Sequence, residues 1–181
     1  MRLHITTGTL GYMTSLKEKD PRLMMNARDH EALLYSEDEE RSVFASGYDY
    51  ELLYSHGSLS EENTVYVQYI PVSGSGNASI LGHLSDLNQR LKDINGLLAY
   101  RIGHSDDRDT FIIFTQWPGK STISDFKSSD VFNDYLTPDV LKRFRDAGAM
   151  FHSYSASKIY LPAEENEENL EKLPEEEKED Y

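Results

Sequence analysis

Apolar residues crowd most densely between Phe111 and Trp117, where only Thr115 and Gln116 interrupt the run. Charged residues precede it and Pro118-Gly119 follow it. A short apolar run bounded in this way predicts a strand buried on both faces. Phe111, Ile113, Thr115 and Trp117 then point to one side, and Ile112, Phe114 and Gln116 to the other. Downstream, Ser121 reads as the N-cap of a helix starting at Thr122, which sets Ile123 and Phe126 on one face. A second short helix opens at Ser129 or Asp130 and carries Val131, Phe132, Tyr135 and Leu136. A strand that returns an aromatic-lined helix onto its own sheet is a way to build a pocket in an α+β domain.

The same two periods organise the rest of the chain. Arg2–Thr9 alternates as a strand, with His4 and Thr6 set against Leu3, Ile5 and Thr7. Leu10–Lys19 reads as a helix ended by Asp20-Pro21. Strands follow at Arg22–Arg28 and Glu31–Ser36, and Ser42–Ala45 together with Tyr48–Ser55 completes the strand-rich half, with Tyr48, Tyr50, Leu52 and Tyr54 on one face. The polar segment Gly57–Asn63 separates this half from Thr64–Val72, where Val65, Val67 and Tyr69 alternate with Tyr66, Gln68 and Ile70. Ala78–Asn95 carries Ile80, Leu84, Leu87, Leu91 and Ile94 in one helical stripe, ended by Asn95-Gly96. Leu97–His104 is a strand. Thr137 is an N-cap with Pro138 at the first helical position, and Phe151–Leu161 closes the pattern as a strand. The expected order is β-α-β-β-β followed by β-α-β-β-α-α-β. The two halves echo each other, which leaves open a barrel closed within the chain, as a monomer with internal pseudo-symmetry, or one completed in a homodimer.

Charge changes the reading at one end. The formal net charge is −14, of which residues 163–181 hold ten acidic residues against two lysines, leaving −6 for residues 1–162. The expected organisation is therefore a strand-rich half over 1–62, a second domain over 63–162 and an acidic, solvated, disordered tail over 163–181, with helix around Glu167–Leu173 as its one structured alternative. The acidic balance argues against nucleic acid and anionic membrane surfaces. No apolar run approaches the ~20 residues of a membrane span, and the start has no secretory h-region. With no cysteine in the sequence there is no disulfide, thiolate site or cysteine nucleophile. A cytoplasmic location is expected. Ser73–Asn77 lacks the lysine and the spacing of a phosphate loop, His30-Glu31 lacks the HExxH spacing, and Asp106–Asp109 lacks the calcium-loop pattern.

Three separated segments carry a family resemblance: Thr6–Met13 (TTGTLGYM), Asp125–Asp134 (DFKSSDVFND) and Phe151–Pro162 (FHSYSASKIYLP). Together with the strand–Trp–helix pattern they resemble the antibiotic biosynthesis monooxygenase superfamily, and within it the Gram-positive branch of TRAP signal-transduction proteins and two-domain haem-degrading monooxygenases. The resemblance implies a ferredoxin-like βαββαβ unit in an α+β barrel. It implies one of two functions. One is a monooxygenase of haem-degrading type, binding haem or a small aromatic ligand. The other is a non-catalytic TRAP-like signalling or stress-response protein.

In the haem-degrading members a histidine late on the SDVF-type helix ligates iron, a tryptophan earlier on it distorts the porphyrin, and an asparagine on the first strand bonds the distal ligand. The positions matching these here are Leu136, Phe126 and Gln68. The amide is kept and a smaller ring is kept, but leucine cannot ligate a metal. The expected ligand-binding set is Gln68, Trp117, Phe126, Phe132 and Leu136, and the expected iron ligand, if haem binds, is His152, ahead of His104, His83, Tyr154 and Met150.

Overall fold

The structure, a computed structural model, describes residues 1–40, 44–72, 77–144 and 156–173. Its elements run β1 (Arg2–Thr9), α1 (Leu10–Lys19), β2 (Met24–Arg28), β3 (Glu31–Asp38), β4 (Tyr48–His56), β5 (Thr64–Pro71), α2 (Asn77–Leu91), β6 (Ala99–Ser105), β7 (Thr110–Trp117), α3 (Lys120–Lys127), α4 (Asp130–Tyr135), α5 (Pro138–Leu141), β8 (Ala156–Pro162) and α6 (Ala163–Glu171). The fold is α+β, and the strands close into one barrel in the order β1-β3-β2-β8-β5-β7-β6-β4. Within each half the spatial order is fourth, first, third, second: β4-β1-β3-β2 and β8-β5-β7-β6. The halves join through β2–β8 and β4–β6 pairs, so the barrel closes within the single chain.

Register shows which side chains face inward, because directly opposed residues share a face. Leu3 lies opposite Tyr50, Ile5 opposite Tyr35, and Val67 opposite Phe114. These residues, with Leu33, Val65, Ile112 and Tyr160, form the barrel interior. On the outside, Tyr66, Ile70, Ile113 and Trp117 pack under α2–α5, and Leu34 and Met25 pack near Met13 of α1. The alternation read in β1, β5 and β7 thus separates barrel interior from helix-covered exterior.

One end of the interior is shut by polar groups. Tyr35 donates its hydroxyl to Asn26 Oδ1 at 2.8 Å and accepts from Gln116 Nε2 at 2.9 Å. Gln116 Oε1 in turn accepts from Ser60 N at 2.9 Å and Asn63 Nδ2 at 3.0 Å, tying residues 57–63 across that end. Arg101 faces inward opposite Phe114, pairs with Glu37, and donates to His56 O at 2.8 Å and Gly57 O at 2.9 Å. Gly57 has φ +71, and an added Cβ would meet Leu98 O at 2.3 Å, so glycine is required where this strap turns onto the barrel.

Several local readings are corrected. Ser121 lies inside α3, whose N-cap is Gly119, because the helix starts at Lys120. Ser129 and Thr137 do cap α4 and α5, accepting from Phe132 N and Val140 N at 3.2 and 3.3 Å. The stripe on α2 ends early: the helix stops at Leu91 and residues to Gly96 turn, Gly96 with φ +83. Residues 42–43 of the expected Ser42–Ala45 strand lie outside the described residues, and Phe44 and Ala45 are not strand. In β4 a register shift between Leu52 and Tyr54 breaks the expected tyrosine face. Tyr50 and Leu52 join the interior, whereas Tyr54 packs with the exterior cluster.

The expected tail also differs. Its first nine residues form α6, pinned by Asn166, which is 3% exposed. The Asn166 amide accepts from Asp29 N at 2.8 Å and donates to Asp29 O at 2.9 Å, holding the β2–β3 turn where Asp29 has φ 54. A short polar anchor, rather than an apolar stripe, orders this segment; residues 174–181 lie outside the described set.

His4 on the outer face of β1 is fully buried, with Nδ1 2.7 Å from Asp49 Oδ1 and Nε2 2.7 Å from Asp38 Oδ1. Both ring nitrogens can donate only in the imidazolium. Burial opposes that charge, but the two carboxylates outweigh it and raise the His4 pKa. The bond from His4 lowers that of Asp38. A raised histidine pKa contributes stability that is complete below the unfolded value of about 6.5 and lost as pH rises through the folded value. Denaturant midpoints should therefore fall as pH is raised above about 6.5. His4→Gln should flatten that limb, and a wild-type profile flat through neutral pH would contradict the imidazolium assignment.

Candidate functional site

β5 and β7 lie side by side and present Gln68 and Ile113 as register partners on the exterior face. α3 and α4 pack over them. Trp117 at the end of β7 is fully buried and donates its Nε1–H to Thr115 Oγ1 at 2.7 Å, which itself donates to Tyr66 O at 2.8 Å. The Trp117 and Phe126 rings are 4.8 Å apart, and Phe126 meets Phe132 edge-on at 5.5 Å. Leu136, 1% exposed, follows α4, and its carbonyl accepts from Gln68 Nε2 at 3.3 Å.

The structure therefore brings together all five of the expected residues, Gln68, Trp117, Phe126, Phe132 and Leu136. It brings them together as a packed cluster. A flat macrocycle between sheet and helix needs about 7 Å, two van der Waals contacts of roughly 3.5 Å each. The direct Gln68–Leu136 bond spans less than half of that. Leu136 has no lone pair for iron, and the amide of Gln68 is already engaged. The described residues of this face do not fit a haem in the arrangement seen.

Of the alternative ligands, His152, Tyr154 and Met150 lie outside the described residues. His83 has Nε2 2.8 Å from Tyr135 O and Nδ1 3.3 Å from Arg143 Nη2, and burial lowers its pKa, so it is a neutral imidazole with both nitrogens engaged. His104 lies between Asp106 at 3.1 Å and Asp109 at 3.4 Å. Among the described residues no cluster of three histidine or carboxylate side chains is arranged to hold a metal, and no helix is long and apolar enough to cross a membrane.

Sequence reasoning missed the barrel interior as a place for chemistry. Its polar members, Asn26, Glu37, Arg101 and Gln116, are scattered over four strands, β2, β3, β6 and β7, with no local motif to join them. Their only sequence signal is a charged or amide residue at an inward position of an otherwise apolar alternation.

No family model matches the chain. The signal transduction protein TRAP of Staphylococcus aureus is 23% identical over 161 residues, covering 88% of this chain and 96% of that one. A structure described as a major regulator of staphylococcal pathogenesis superposes with a TM-score of 0.79 at 21% identity, over 90% of this chain and 99% of the other. A haem-degrading enzyme from Listeria monocytogenes gives a TM-score of 0.69 at 20% identity, over 89% and 99%. A ferredoxin-fold protein related to antibiotic biosynthesis monooxygenases, also from Listeria monocytogenes, gives 0.72 at 21% identity, over 88% and 92%. The fold is that of the antibiotic biosynthesis monooxygenase-like ferredoxin proteins. The resemblance drawn from the three sequence segments holds, and like those segments it runs through both halves of the chain. The matching structures include a haem-degrading enzyme and a staphylococcal regulator, so this fold by itself does not choose between the two functions.

Proposed function

We propose that this chain is a TRAP-like regulatory protein of the antibiotic biosynthesis monooxygenase fold that does not degrade haem by the histidine-ligated route. The observation that carries the reading is the Gln68–Leu136 bond, which closes sheet to helix with leucine standing at the iron-ligand position. The similarity to TRAP along most of the chain supports the regulatory half of the proposal. A cytoplasmic location belongs to the same reading. The haem reading retains one support, the haem-degrading neighbour, and it requires this face to open or a ligand such as His152.

Haemin titration followed by reductant under air tests the proposal. The expected result is no histidine-type Soret band and no loss of haem absorbance on turnover. Leu136→His should gain a nitrogen-ligated spectrum if the face opens to admit the ring. A wild-type histidine-type spectrum that bleaches with reductant would overturn the proposal. If that spectrum also vanished in His152→Ala, the iron ligand would be identified.

A further inference from the structure

Among the described residues the barrel interior is shut at one end and open at the other. At the open end lies a cavity of about 520 Å3, within the range of small-molecule sites. It is distinct from the packed face under α3 and α4. Tyr69 and Lys158 reach it from inward positions of β5 and β8, Thr110 from β7 and Thr7 from β1.

Three observations describe what this cavity would hold. First, Arg108 has no carboxylate partner among the described residues; its guanidinium lies 3.8 Å from the centre of the Tyr48 ring. Lys158, the other cation at the mouth, already pairs with Glu31 at 3.1 Å, and Tyr160 places its hydroxyl 3.2 Å from the same carboxylate. The lysine and glutamate cancel, so one positive charge remains, in a chain whose formal net charge is −14.

Second, a buried hydroxyl beneath the mouth, Ser105 Oγ, lacks a hydrogen-bond partner, while the Tyr50 hydroxyl lies within reach of Arg108. Tyr50 is inward by its register with Leu3, and Ser105 lies opposite the lining residue Thr110. Buried polar groups are almost always partnered, so an orphan just behind the cavity wall marks this end of the interior as one that further polar atoms would complete. Burial pushes the Tyr50 hydroxyl up to about 12, with Arg108 acting against the rise. It therefore remains a proton donor at neutral pH. Third, the walls are apolar and aromatic between these polar groups, with Ile5, Tyr69, Pro71 and Tyr160 among them.

We infer that the open end of the barrel is a binding site for a small organic monocarboxylate with an aromatic or apolar body. The carboxylate meets Arg108, and the body lies among the tyrosine rings. A dianion is disfavoured because Glu31 faces the same mouth. The inference does not depend on the regulatory reading above, and it holds whether or not haem binds elsewhere.

Benzoate titrated into the full chain, followed by backbone amide shifts, tests this. Saturable one-to-one binding in about the low-millimolar range is expected for a ligand of this size. The shifts should concentrate at residues 48–50, 69 and 105–110. Arg108→Gln should weaken benzoate about tenfold or more, the worth of a charge-assisted hydrogen bond, while leaving the neutral analogue benzyl alcohol unchanged. Thr7→Trp, which places a large ring at the mouth, should remove binding of both. Both residues are exposed, so both variants should melt close to wild type. Absence of saturable shifts in the wild type would overturn the inference. So would shifts confined to the α3–α4 face, or equal benzoate affinity in Arg108→Gln.

Discussion

Ile113→Asp is expected to leave no cooperatively folded protein. β7 lies between β5 and β6, and every residue from Thr110 to Trp117 is buried. Ile113 is 1% exposed and sits opposite Gln68 on one side and Ile102 on the other, beneath the helices. Losing the branched side chain from such a place costs roughly 2–5 kcal/mol. An unpaired carboxylate adds several more, or takes up a proton to avoid it. The sum reaches the ~5–15 kcal/mol that holds an ordinary domain together. Circular dichroism during denaturant unfolding would show a soluble, non-cooperative or absent transition. Leu81→Asp, at a position 46% exposed on α2, serves as the control and should change stability by no more than about 0.5 kcal/mol. A cooperative Ile113→Asp protein with a near-wild-type midpoint would show that β7 is not the central strand described here.

The second large effect is expected at the closed end of the barrel. The Arg101 side chain is 6% exposed and its guanidinium is held by Glu37 and by the carbonyls of His56, Tyr100 and Gly57. Removing one member of a buried pair typically costs ~3–5 kcal/mol, because the other charge is stranded. The three carbonyls remain in Glu37→Gln, and Glu37 itself is 22% exposed, which places the expected loss near the lower bound, about 3 kcal/mol. Replacing both partners, Glu37→Leu with Arg101→Met, should recover much of it, since no charge is then left without a counterpart. The double-mutant cycle measures this directly. A loss under about 1 kcal/mol in Glu37→Gln would mean that water reaches the pair.

These two sites differ in how far they could be read from the sequence. The burial of Ile113 was legible, because an apolar run bounded by charges and Pro-Gly has few other structural solutions. The alternation of Val65, Val67 and Tyr69 with Tyr66 and Gln68 was legible for the same reason, and so was the helical stripe from Ile80 to Leu91. Nothing local marked Arg101 and Glu37 as partners: 64 residues separate them, and they meet only through barrel closure. The candidate site divides likewise. The residues Gln68, Trp117, Phe126, Phe132 and Leu136 could be named from a resemblance, and their proximity followed from strand and helix order. That they form a packed cluster rather than an open slot depends on ring contacts and one amide bond between distant segments.

The order of residues along the chain is enough to set the period of each segment, two or 3.6, and therefore which side chains share a face. Period is a property of neighbouring residues, so β1, β5, β7 and α2 could be placed to within a few positions. Departures came where tertiary pairing overrode the pattern. The shift between Leu52 and Tyr54 turns a single tyrosine face into two, because β4 must bend to pair with both β1 and β6. The order of α6 rests on Asn166 reaching back 137 residues to Asp29, a contact that charge and propensity in the tail could not reveal. Which face became the barrel interior, which end of it is shut, and that Arg108 stands at the other were set by contacts between distant strands. Those outcomes depend on β2 meeting β8 and β4 meeting β6, pairings whose loop-closure cost is met by the whole barrel rather than by any stretch of chain.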